Sequence, residues 1–180
     1  MAMASILKKL LIGRAFICEN GRIKLFGKMD WTFIPSKVLA ATFQDIAEKF
    51  GEDFLLQLGY DAGHDAGVEM VEYMKLKLGG GWTSQRAVIE TLDFIGFGQV
   101  EFTKAEIKSD GHHHIILHTK NNPVTEYGIR MYGKKSAICA WFRGVYNAHG
   151  ELELGVKNAN LKENHCIKEG FHDCEWESKW

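Results

Sequence analysis

The sequence predicts an α+β fold, an antiparallel sheet of hairpins packed with about four helices. Three observations predict it. The elements come in segregated runs: two strands, three helices, two strands, one helix, two strands. Asn20-Gly21 and Asp110-Gly111 each sit between apolar runs, the arrangement of a tight antiparallel turn. The chain has 180 residues, 46% hydrophobic and 25% charged, which suits one globular domain over 1–180.

The first hairpin pairs Arg14 to Glu19 with Arg22 to Phe26, since Asn and Gly both tolerate positive φ. A helix follows from an N-cap at Ser36 to Gly51. Val38, Thr42, Ile46 and Phe50, flanked by Leu39, Phe43 and Ala47, make its apolar stripe. A longer helix runs from Glu52 to about Lys77. Its glycines at 59, 63 and 67 recur every fourth residue, beside Ala62 and Ala66. Each costs a helix ~1 kcal/mol relative to Ala. Close packing within the chain or a homodimer seam would offset that cost. Asp61, Asp65, Glu69 and Glu72 exclude a membrane-buried seam.

Gly79-Gly80-Gly81 is a loop without the Lys-Ser/Thr of a phosphate cradle. Ser84 caps a third helix with Ala87, Val88, Thr91, Leu92 and Ile95 inward. Phe97 to Lys108 and His112 to Thr119 form the second hairpin. Asn121-Asn122-Pro123 breaks the chain, and a fourth helix spans Lys135 to His149. Glu151 to Glu163 and Cys174 to Glu177 are the last strands.

The composition excludes several classes. A net charge of -1 gives no basic field for nucleic acid. No apolar run spans a bilayer. The N-terminus has no long apolar core, so no signal peptide is expected. Four cysteines without a leader point to a reducing, cytoplasmic setting, where clustered thiols serve metals more often than disulfides.

Chemistry concentrates at the C-terminal end. Cys139 stands alone; Cys166 and Cys174 follow with seven residues between them, and Glu163 lies three before Cys166. Three thiolates and a carboxylate are a donor set for closed tetrahedral zinc. His165 and His172 are alternative fourth ligands. Glu163, Cys166 and Cys174 bracket a loop containing Gly170, which lets them converge. Cys139 opens a helix, where the dipole favours thiolate. Buried free thiols are the competing reading. Cys18 is assigned to the core. On a strand, His112, His114 and His118 share one face; three imidazoles there could bind a metal, but the run is read as a solvated hairpin face. His64 with Asp61 and Asp65 has no nucleophile partner, and no catalytic elbow, zinc-protease motif or dinucleotide fingerprint occurs.

Several stretches together resemble the 4-vinyl-reductase, or hydrocarbon-binding, domain. They are Glu19 to Ile23, Ile34-Pro35, Phe54 to Gly63, Cys139 to Gly144, Glu163 to Cys166 and Gly170 to Cys174. This domain serves as the sensor of aromatic-responsive bacterial activators, and its fold is shared by TRAPP tethering subunits. The resemblance implies a structural zinc on Cys139, Glu163, Cys166 and Cys174. The interval from Cys139 to Cys166 differs from the sensors' by about one residue, a change that a loop absorbs. It also implies an interior pocket, with walls from Phe94, Phe97, Phe102, Leu117, Trp141 and Phe142. Phe94 and Leu117 fall where phenol sensors carry a His and a Trp. Without those donors the pocket favours an apolar guest.

The implied function is non-enzymatic. It is the binding of a small apolar or aromatic ligand, in a homodimer that signals to a partner protein, with about one zinc per chain. A dimeric scaffold of the tethering type and, less favoured, a vinyl reductase are the alternatives.

Overall fold

The computed structural model describes residues 16–25, 29–78 and 96–180. The helix expected from Ser84 and the wall residue Phe94 lie outside them. The described residues before Pro35 form a compact unit of their own, and Pro35–Trp180 forms the main unit. No described helix is long and apolar enough to cross a membrane.

In the first unit β1 (Phe16–Glu19), β2 (Arg22–Leu25) and β3 (Met29–Trp31) make an antiparallel meander. Asn20 and Gly21 take φ of 53° and 74°, as a two-residue turn demands. Cys18, expected in the core, is exposed. It sits on β1, an edge strand of that sheet among the described residues.

The main unit starts with α1 (Ser36–Phe50). Pro35 takes the N-cap position and Ser36 becomes the first helical residue. The helix stops at Gly51, whose φ of 92° suits glycine. Its buried face is Ala40, Phe43, Gln44 and Ala47, while Val38 and Phe50 are 52% and 65% exposed. The core therefore lies to one side of the expected stripe. Gln44 explains part of the difference. Its Oε1 accepts from Ala137 N at 2.9 Å and its Nε2 donates to Lys135 O at 3.2 Å, satisfying backbone just upstream of Cys139.

Next come α2 (Glu52–Leu78), β4 (Gln99–Ile107) and β5 (His113–Lys120). Asn121-Asn122-Pro123, read as a break, starts a further helix, α3 (Pro123–Tyr132). Asn122 Oδ1 accepts from Val124 N and Thr125 N at 3.0 and 3.1 Å, and Pro123 fills the first turn, where it lacks no needed donor. Then follows α4 (Ile138–Leu154), which ends on left-handed Gly155. The last strands are β6 (Lys162–His165) and β7 (Cys174–Lys179), so helix occupies the start of the strand expected from Glu151. The four strands run antiparallel in the order β4-β5-β7-β6.

The glycine stripe of α2 packs within the chain. A Cβ on Gly59 would stand 2.1 Å from the Trp141 carbonyl oxygen, and one on Gly63 would stand 2.8 Å from Val145 Cα. Gly144 answers from α4, where a Cβ would be 2.0 Å from Leu56 O. Backbone meets backbone along α2 and α4, which is the close approach that glycine permits. Tyr60 adds a polar tie. Its hydroxyl donates to Glu151 Oε2 at 2.6 Å, a bond that, with burial, pushes the phenol up to about 12.

Candidate metal centre and interior chamber

Strand alternation fixes which residues face inward. On β5 these are His113, Ile115, Leu117 and Thr119; on β7 they are Cys174, Trp176 and Ser178. The register sets Thr119 opposite Cys174 and Leu117 opposite Trp176. Cys174 thus enters the interior at the head of β7. Cys166 enters at the end of β6, and a short 3-10 turn, Ile167–Glu169, closed by left-handed Gly170, brings it back toward Cys174. Cys139, the second residue of α4, comes from the other layer.

The four expected ligands converge. One ligand atom each from Cys139, Glu163, Cys166 and Cys174 lies within 4.8 Å of the others. Cys139 Sγ is 3.4 Å and Cys174 Sγ 2.7 Å from Cys166 Sγ, well beyond the ~2.05 Å of a disulfide. All three cysteines are buried and free. Hydrogen bonds from Cys139 and then Cys174 drive Cys166 down to about 2, making it the thiolate of the trio. Cys139 is held well above the ordinary thiol range by its bonds to Cys166 and Cys174 and by burial. For Cys174 the bond to Cys139 pulls downward, but the bond to Cys166 and burial outweigh it.

Burial raises Glu163, against the opposing pull of Lys168, whose Nζ sits 2.7 Å from Oε2. The other oxygen, Oε1, is buried with no hydrogen-bond partner among the described residues. A buried acceptor left unpaired costs ~1–3 kcal/mol. Ser136 Oγ, Arg143 Nε and Trp176 Nε1 are in the same condition, and all four residues border one cavity of about 50 Å³ beside Cys139. Soft thiolates plus an orphaned carboxylate oxygen fit a zinc ion. His165 and His172 lie outside this group: His165 bonds Asp173 at 2.9 Å, and His172 is exposed.

A second cavity, about 30 Å³, lies between the sheet and the C-terminal half of α4. Val100, Phe102, Ile115, Leu117, Leu154, Val156 and Leu161 supply apolar walls. Phe102 and Leu117 were expected there. Phe97, Trp141 and Phe142 form an aromatic cluster, with Phe97 edge-on to both partners at 5.7 and 5.6 Å and Phe43 stacked on Trp141 at 4.6 Å. Sequence reasoning missed His149 and Glu153, buried and in contact through Nδ1 and Oε1, which line this chamber. Their spacing of four on α4, in line with Phe142 and Tyr146, is the signal that could have found them.

No protein-family model matches the chain, and no curated protein does. A solved structure does: the phenol-responsive sensory domain of the transcription activator PoxR, determined with phenol. The TM-score is 0.77 at 18% identity, covering 98% of this chain and 89% of that one. The chain thus shares the fold of that domain.

Proposed function

We propose that the protein is a zinc-stapled, non-enzymatic sensor of the hydrocarbon-binding type, which holds a small aromatic molecule in the chamber beneath α4 and reports occupancy to a partner protein. The single observation that carries this reading is the chamber itself, apolar on both layers apart from the His149–Glu153 pair, Tyr146 and Ser178. The likeness to a phenol-responsive domain supports it. The polar pair departs from the expectation of a pocket without donors. It gives one hydroxyl or amino substituent a partner, so the guest class widens to aromatics carrying one such group.

Volume decides how binding proceeds. At about 30 Å³ the chamber holds one or two waters, which need ~10–15 Å³ each, whereas a dry cavity that takes benzene measures ~150 Å³. A ring therefore enters by displacing the walls, and association is slow for that reason. Phenol and toluene, added to ion-loaded protein at ~100 times their Kd, are expected to stabilise it by ~2.7 kcal/mol, or roughly 5–10 °C in Tm. The methyl resonances of Ile115 and Leu117 should shift as well. If neither compound moves Tm or those resonances, the sensing reading is wrong.

A second reading, an assembly scaffold, is favoured by one surface. Phe50 and Phe54, ring centroids 5.2 Å apart, are 65% and 50% exposed, with Leu58 a turn further on. A homodimer seam would lie there, since the glycines of α2 are taken up by α4. Under this reading light scattering gives twice the chain mass and Phe54→Asp halves it; a monomeric parent removes it.

A further inference from the structure

Adjacent residues on a strand point to opposite faces. Cys166 and Cys174 are buried, so His165 and Asp173, one position before each, are carried toward the outer face, where both are partly exposed. The register sets His118 of β5 and His165 of β6 both opposite Glu175 of β7, one row across three strands. Asp173 joins the two imidazoles. Its Oδ2 is 2.8 Å from His118 Nδ1 and its Oδ1 is 2.9 Å from His165 Nε2. The ligand atoms of the three lie within 4.8 Å of one another, and the side chains are 16–23% exposed, open to an incoming ion. The remaining nitrogen of His118, Nε2, faces Glu175 Oε2 at 3.1 Å. That is the outer carboxylate which metal-bound imidazoles commonly carry to fix their tautomer.

We propose that His118, His165 and Asp173 form a second metal site on the outer face of the four-stranded sheet, with Glu175 orienting His118. Two imidazoles and one carboxylate suit a divalent transition-metal ion such as zinc, rather than magnesium or calcium, which prefer all-oxygen sets. The ion takes the place of the contacts between Asp173 and the two imidazoles, and water completes its shell. The site stands apart from the chamber and from the thiolate centre, although one loop, 166–173, serves both metal sites.

The test is cobalt(II) titration of the full-length, ion-free protein, with equilibrium dialysis against zinc as the count. Two equivalents are expected. One should carry the thiolate-to-cobalt charge-transfer band, and the other should add no such band. His165→Gln and Asp173→Asn should each weaken the second equivalent by at least about tenfold, since even changes outside the ligand set cost that much, and leave the charge-transfer band intact. In the unaltered protein, zinc should shift the imidazole nitrogen resonances of His118. A missing charge-transfer band with the second equivalent retained sinks the thiolate reading and upholds this one. Equal ion counts in the parent and both variants, with His118 resonances unmoved by zinc, overturn it and leave an ion-pair cluster only.

Discussion

Cys174→Ser is expected to abolish the thiolate-to-cobalt band and to lower Tm by roughly 10 °C or more. The reasoning starts from the geometry. Cys139 belongs to the helical layer, and Glu163, Cys166 and Cys174 belong to the sheet, so an ion held by all four links the two layers. Structural zinc binding releases ~10–16 kcal/mol in small fingers. This unit has a hydrophobic core of its own, so a few kcal/mol is the expected share, and each is worth ~2–4 °C at this size. The same loss should follow a strong chelator. Proton release gives a second measurement. Without the ion, Cys166 is already thiolate, while Cys139 and Cys174 are held protonated above the ordinary range. Zinc must displace those two protons, so affinity rises with pH and falls as pH drops. Calorimetry in two buffers of different ionisation enthalpy should show about two protons leaving per ion. An unchanged Tm in Cys174→Ser with the cobalt band retained would remove the centre.

How far the sequence carried these conclusions depends on what each residue type encodes. Asn20-Gly21 and Gly51 were legible because a positive φ is a local demand that few residues meet. The convergence of Cys139, Glu163, Cys166 and Cys174 was legible because thiols are few and because their pattern resembles a known domain. The outward-facing row of histidines was half legible. Alternation put His114 and His118 on one face, but only the register shows His165 and Asp173 arriving beside them. The start of α3 was missed because Asn122-Pro123 is equally a turn signal and a cap. What separates the two is tertiary: Asn122 Nδ2 donates to Phe97 O at 2.8 Å, which holds the side chain where Oδ1 receives the amides of Val124 and Thr125. The buried face of α1 was misplaced for a related reason. Periodicity marks a stripe but not its neighbour, and Gln44, polar by type, is buried because backbone at 135 and 137 requires it. His149 and Glu153 escaped notice because residue type argued for a surface, while their mutual contact makes burial affordable.

The glycine seam supplies the other large effect. Gly144→Ala is expected to destabilise the protein by ~4 kcal/mol or more, at the far end of what single substitutions do. The added methyl would stand 2.0 Å from Leu56 O and 2.6 Å from Tyr60 N. Both obstacles are backbone in the N-terminal third of α2, so no rotamer change relieves them, and the helices must separate along the seam. Ordinary overpacking costs ~1–3 kcal/mol because side chains yield, a route closed here. Gly150→Ala, on the same helix, is the control. Its methyl would meet Ala159 Cβ and Val156 Cγ2 at 3.6 Å, ordinary contact, and replacing a helical glycine returns up to ~1 kcal/mol. Urea unfolding should place Gly150→Ala at or above the parent and Gly144→Ala far below it. Equal midpoints for the two variants would mean that α2 and α4 do not touch backbone to backbone. The fit of helix to helix, on which both the thiolate centre and the chamber depend through α4, would then need another basis.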